Sequence, residues 1–200
     1  MITLVNLKNS NIRSVINSLN FLKVDYHVTN NFTDLKTSDK IILPGVGSFG
    51  AGMKALEELS LIDALREEVV ANQKPFLGIC LGMQLLFESS SESPGVAGLG
   101  FIDGCVERIK DSKEYSIPRI GWADSRINFD FLGMKKDDIT DFYYIHTYHT
   151  NPKDKNIIAI QSENNIVSAI QYGNIYGCQF HPEKSHKNGL KLIKSFADLS

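Results

Sequence analysis

The stretch that most limits how this chain folds is Pro75-Phe76-Leu77-Gly78-Ile79-Cys80-Leu81-Gly82-Met83-Gln84-Leu85-Leu86-Phe87-Glu88. Its apolar first half reads as a buried strand, and the run from Leu81 to Glu88 reads as a helix with Leu81 and Leu85 on its apolar side. Cys80 falls at the join. Glycines two residues to either side remove the Cβ atoms that would collide if the backbone turned sharply there, the logic of the Gly-x-nucleophile-x-Gly elbow. Such a turn holds the cysteine at the carboxyl edge of a sheet, close to the free N–H groups and positive dipole end of a helix, which favour a thiolate.

An isolated cysteine between apolar residues is ordinarily a small core side chain. A second stretch, Gly177-Cys178-Gln179-Phe180-His181-Pro182-Glu183-Lys184-Ser185, adds what the first lacks. A strand runs into His181, and Pro182 biases that histidine toward an extended conformation. Side chains two apart in an extended segment share a side, so Glu183 can orient the imidazole. Elbow, base and orienter together give a candidate triad of Cys80, His181 and Glu183. A third stretch, Pro44-Gly45-Val46-Gly47-Ser48-Phe49-Gly50, follows a strand at 40–43. Its glycines fit neither the Walker A nor the dinucleotide fingerprint. Backbone N–H groups presented there, beside the elbow, suit an oxyanion instead.

The first half alternates strand and helix: strands at 1–5, 24–28 and 40–43, a helix carrying Ile12, Val15, Ile16, Leu19 and Leu22, and helices at 53–59 and 61–70. A surface loop is expected at 89–100. Beyond it, 101–102, 105–109, 142–145, 157–160, 167–172 and 175–180 read as strands with no helices between them, the last pair joined by a Gly173-Asn174 turn. A final helix carries Leu192, Ile193, Phe196 and Leu199 on one face. The expected fold class is therefore α/β, a central mostly parallel sheet flanked by helices with an antiparallel extension in the second half. At 200 residues and 42% hydrophobic content, a single domain over 1–200 is expected. The 21 basic and 23 acidic residues form no long run of either sign, which argues against nucleic-acid and membrane partners. Three irregularly spaced cysteines, with no signal peptide and no bilayer-length apolar run, point to the cytoplasm. His146, His149 and His186 have no carboxylate or cysteine at ligand spacing, so no metal site is expected.

With PGVGSFGAGM, GICLGMQLLFE, FYYIHTYHT and GCQFHPEKS in this order, the chain resembles the class I glutamine amidotransferases over essentially its whole length. Among them it is most similar to the glutaminase subunits of imidazole glycerol phosphate synthases. The resemblance implies a flavodoxin-like fold and cofactor-free cleavage of L-glutamine. In it Cys80 attacks the side-chain amide, His181 carries the proton to the departing ammonia, and Glu183 orients His181. The N–H groups of Val46 and Leu81 match the oxyanion positions, the former after the Gly45-Val46 peptide reorients, and Gly47, Gln84, Thr147 and Tyr148 fall where glutamine is held. The implied partner is a separate synthase (cyclase) subunit with a (β/α)8 barrel, joined as a heterodimer, that uses the ammonia to form imidazole glycerol phosphate in histidine biosynthesis. Arg119, Trp122 and Lys184 are candidates for that contact.

Two departures stand out. The loop Asn6-Leu7-Lys8-Asn9-Ser10-Asn11 has no glycine, and Arg119 and Ala123 replace the family's more usual histidine and asparagine around Ile120-Gly121-Trp122. They leave open a diverged paralogue that feeds another synthase, such as one amidinating a surface sugar. A cysteine hydrolase of other specificity, or a binding subunit, is the reading from a different class.

Overall fold

The computed structural model describes residues 1–7, 11–110, 116–162 and 166–199, with backbone alone at 159 and 161. Its first half runs β1 (Ile2–Val5), α1 (Ile12–Phe21), β2 (Tyr26–Thr29), α2 (Phe32–Thr37), β3 (Lys40–Gly45), α3 (Phe49–Glu58), α4 (Ile62–Leu65), β4 (Phe76–Cys80) and α5 (Leu81–Gln84). The second half runs β5 (Phe87–Ser90), β6 (Ile102–Arg108), β7 (Arg119–Arg126), β8 (Ile139–His146), β9 (Tyr148–Pro152), β10 (Ile158–Ser162), β11 (Val167–Tyr172), β12 (Ile175–Cys178) and α6 (His186–Ala197).

Among the described residues these strands form a nine-stranded sheet, ordered β2-β1-β3-β4-β12-β11-β10-β7-β8, and a three-stranded sheet, ordered β5-β6-β9. In the large sheet β2, β1, β3, β4 and β12 are parallel, and every pairing from β12 outward to β8 is antiparallel. The expected class, a mostly parallel sheet with an antiparallel extension, is the observed one. β1 and β4 are buried along their whole length, because helices cover both faces, and a parallel strand so covered is nearly all apolar, Thr3 being the one polar side chain of the two. Alternate residues of one strand feed opposite layers. Val5, Ile41, Leu43 and Phe76 pack with Phe49, Leu56 and Leu65 on one side, while Leu4, Ile42 and Leu77 pack with Val15, Leu19, Leu192, Ile193 and Phe196 on the other. No helix among the described residues is long and apolar enough to cross a membrane.

Three local expectations need correcting. The helix expected over 81–88 stops at Gln84, and the chain enters β5 at Phe87. The carbonyls of Leu85, Leu86 and Phe87 accept hydrogen bonds from Leu99, Phe101 and Gly100, so a distant segment takes the acceptors that a continuing helix needs. Segments 101–102 and 105–109 merge into the single strand β6. β7 and β9, with mixed burial along both, lack the apolar run that marks the inner strands and were not anticipated. Part of the 6–11 loop, residues 8–10, lies outside the described residues.

Candidate active site

β4 ends at Cys80, whose backbone lies at φ 54°, ψ −107°, a strained region for a residue with a Cβ. The two flanking glycines are there for space. A Cβ on Gly78 would sit 2.6 Å from the carbonyl oxygen of Gly82, and one on Gly82 would sit 1.8 Å from the carbonyl oxygen of Leu43. Packing of the elbow against β3 and back onto β4 is thus possible only without side chains at 78 and 82. α5 is a single turn, so it offers free N–H groups at its start but only a small dipole. The end of β3 runs alongside in register, Gly45 opposite Cys80, bringing Val46 next to the nucleophile.

The base arrives from the neighbouring strand. β12 pairs with β4 in parallel, Cys178 opposite Ile79, so the residues that follow emerge at the same sheet edge as Cys80. His181 is extended, but Pro182–Lys184 forms a 3-10 turn, and this turn brings Glu183 to the ring in place of the expected straight segment. His181 Nδ1 and Glu183 Oε1 lie 2.7 Å apart, both side chains almost fully buried. Ser185 anchors the turn: its hydroxyl donates to the His181 carbonyl at 2.6 Å and accepts from the Tyr143 N–H at 3.0 Å. Burial is the strongest influence on the His181 pKa and acts downward. The interactions with the Cys80 sulfur and the Glu183 carboxylate together outweigh it and push the pKa up to about 10. The imidazole is therefore disposed to hold a proton beside the sulfur. With Nδ1 committed to Glu183, Nε2 is the ring nitrogen left for the sulfur, and His181 and Cys80 line one cavity.

That cavity, about 320 Å³, is large enough for an amino acid. Val46, Gly47, Leu81, Gln84, Thr147, Tyr148 and Lys184 also line it. Arg119 and Trp122 do not, and they part company on β7, where side chains alternate between faces. Arg119 turns inward, its guanidinium 4.3 Å from the Tyr144 ring and bonded to Ser162 Oγ at 2.6 Å. Trp122 turns outward, 44% exposed, stacked on His186 at 5.0 Å and edge-on to Tyr143, over which Lys184 also lies. Residues that sequence reasoning passed over include Gln179, fully buried and bonded to Gln84, and Ser185; the one legible signal was a lone polar residue between Cys178 and Phe180. Among the described residues no group of three or more His, Cys, Asp or Glu could hold a metal.

His146 stands at the cavity wall and donates from Nδ1 to the Tyr148 carbonyl at 2.8 Å. Burial dominates in lowering its pKa to about 4, the Tyr148 bond opposing and the Arg119 charge assisting. Above about pH 6.5 it is neutral folded or unfolded. As pH falls from there toward 4, the unfolded chain takes up a proton that the folded chain refuses, so stability drops, by about 3 kcal/mol at pH 4 from this group. A His146→Asn variant, which keeps a donor for the Tyr148 carbonyl, should lose that part of the acid slope in urea midpoints measured between pH 7 and pH 4. An unchanged slope would mean that His146 already titrates normally.

A family model for "Glutamine amidotransferase class-I" matches residues 3–198. Imidazole glycerol phosphate synthase subunit HisH 2 of Vibrio vulnificus is 42% identical, the match covering 98% of this chain and 94% of the relative. Subunit HisH 1 of Campylobacter jejuni is 40% identical over the full length of both chains. Among solved structures, a crystal structure of a glutamine amidotransferase superposes with TM-score 0.79 at 18% identity over 99% of each chain. PurLQS from Thermotoga maritima gives TM-score 0.71 at 17% identity, covering 98% and 96% of the two chains. Elbow, sheet order, whole-length family match and relatives at 40% identity agree: the chain belongs to the class I glutamine amidotransferases.

Proposed function

We propose that this chain is the glutaminase subunit of an imidazole glycerol phosphate synthase. It hydrolyses L-glutamine to glutamate and ammonia and passes the ammonia to a separate synthase subunit. The observation that carries the reading is one cavity shared by Cys80, His181, Gly47, Gln84, Thr147 and Tyr148. The Cys80 thiolate attacks the side-chain amide carbon, the C–N bond breaks, and the His181 imidazolium gives its proton to the leaving nitrogen, so ammonia departs and a γ-glutamyl thioester remains. His181, neutral again, takes a proton from water, whose oxygen displaces the sulfur and releases glutamate. Glu183 holds the ring in the tautomer and orientation that both steps need. The oxyanion of each tetrahedral intermediate is assigned to the N–H groups of Leu81 and Val46, on segments that the Gly45–Cys80 pairing sets side by side.

The chain acts as a single domain in the cytoplasm, without cofactor, in a heterodimer with a (β/α)8 barrel. An exposed apolar stretch on β7 and β8 supports such a partner: Ile120 is 59% exposed, Trp122 44% and Ile145 42%, and Ile145 and Lys184 also border the cavity. Arg119, directed into the fold, would act on that contact only through its neighbours. A second reading keeps the chemistry and changes the recipient, supported by Arg119, Ala123 and the glycine-free 6–11 loop.

The test is to supply glutamine and the synthase's ribonucleotide acceptor to the chain, alone and mixed with an imidazole glycerol phosphate synthase cyclase subunit from the same organism, and to follow glutamate and imidazole glycerol phosphate. Strong glutamate release and imidazole glycerol phosphate formation are expected in the mixture, with little of either from the free chain. Glutamate without imidazole glycerol phosphate would transfer support to another acceptor. No glutamate in any mixture would end the glutaminase reading.

A further inference from the structure

Gln179 is 0% exposed, one residue beyond β12 and two before His181. A buried amide is tolerated only where its polar atoms are bonded, and a leucine or methionine would fill similar space without that cost. Its side chain bridges two groups of the cavity. Nε2 stands 3.7 Å from the Cys80 sulfur, and Oε1 accepts from Gln84 Nε2 at 3.0 Å. Gln84 Nε2 also donates to the Tyr148 carbonyl at 3.1 Å.

The direction of each hydrogen bond from Tyr148 through Gln84 and Gln179 to Cys80 follows from one atom. A backbone carbonyl can only accept, so the Gln84 atom facing Tyr148 is the amide nitrogen. The second N–H of that nitrogen points at Gln179, which must therefore present its oxygen to Gln84. Its nitrogen is left for the sulfur. The Tyr148 carbonyl, held from the other side by the His146 Nδ1–H at 2.8 Å, thus determines that a donor, and not an acceptor, meets Cys80.

We propose that Gln179 belongs to the catalytic site as an N–H donor to the Cys80 sulfur, stabilising the thiolate, with its polarity imposed through Gln84 by the Tyr148 carbonyl. A hydrogen bond to an ionised acceptor is among the stronger kinds, and it favours the charged form of the sulfur. The inference also gives Gln84 a second duty. With both N–H groups committed, Gln84 offers substrate only an acceptor oxygen. The proposal rests on Cys80 being the nucleophile.

The test uses the full chain and the rate of Cys80 alkylation by iodoacetamide across pH, read on the Cys80 peptide by mass spectrometry with the Cys105 and Cys178 peptides as internal references. Gln179→Met removes the donor; Gln179→Glu keeps an acceptor for Gln84 but sets a carboxylate against the sulfur. Alkylation at pH 7 should fall about tenfold in Gln179→Met and about a hundredfold in Gln179→Glu, with rates recovering at higher pH. A residue that merely fills space leaves the pH profile where it was. Profiles superimposable on that of the unaltered protein, from either variant with an unchanged melting temperature, would overturn the proposal, and if Gln179→Met does not fold, Gln179→Glu decides alone. The same alkylation repeated with L-glutamine reads the function separately: loss of protection in the unaltered protein counts against the glutaminase reading and leaves the sulfur's donor in place.

Discussion

Replacing Cys80 by serine is expected to lower glutamine hydrolysis by the synthase complex by about four orders of magnitude, and His181→Asn by about as much. The two groups act as one unit: the sulfur needs the imidazolium beside it, and the departing nitrogen needs that proton. The double variant should consequently be no slower than either single one, since each removal already disables the whole. Melting temperatures should stay close to that of the unaltered chain for Cys80→Ser, because the hydroxyl occupies less volume than the thiol and the elbow's glycines are untouched. Residual turnover within tenfold of the unaltered complex in either single variant would remove Cys80 and His181 from the chemistry.

The second large effect is on stability. Gly82→Ala should destabilise the chain by at least about 4 kcal/mol, enough to prevent folding of a domain with an ordinary margin. The added methyl would lie 1.8 Å from the Leu43 carbonyl oxygen, a main-chain atom inside the sheet that cannot swing aside. Gly173→Ala is the matched control. Gly173 has φ 57° and no atom within 4 Å of an added Cβ, so it should lose only the left-handed backbone preference, about 1 kcal/mol. Urea unfolding of the two variants measures the difference. Equal, small losses would show that the elbow relaxes and that the close approach at 82 is not obligatory.

Much of this molecule is legible in its sequence. The elbow could be read because part of its cause is local: a Cβ on Gly78 would meet the Gly82 carbonyl four residues on, and the Gly78-x-Cys80-x-Gly82 spacing announces such a turn. The parallel half of the sheet was legible for a similar reason, since β1, β3 and β4 are apolar runs separated by helix-period segments. What escaped notice depended on partners far along the chain. The helix after Cys80 is cut to one turn because residues 99–101 claim the carbonyls of Leu85, Leu86 and Phe87. β7 hid behind mixed burial, and with it the fact that Arg119 and Trp122, three residues apart, face opposite sides of the sheet.

The sequence by itself determined which side chains can do chemistry and where the backbone must bend, because the close approach of Gly78 to Gly82 and the identity of Cys80, His181 and Glu183 are set within a few residues, whereas the Leu43 carbonyl that holds position 82 to glycine comes from β3. Only the tertiary structure decided that β12 returns beside β4 and delivers His181 to the edge where Cys80 stands, that a 3-10 turn carries Glu183 to the ring, and that Gln84, bonded to the Tyr148 carbonyl, meets Gln179 beside the sulfur. Those arrangements depend on hydrogen bonds and strand pairings between residues that lie up to a hundred positions apart. No local pattern encodes them, since the same short segments would be equally content in another register.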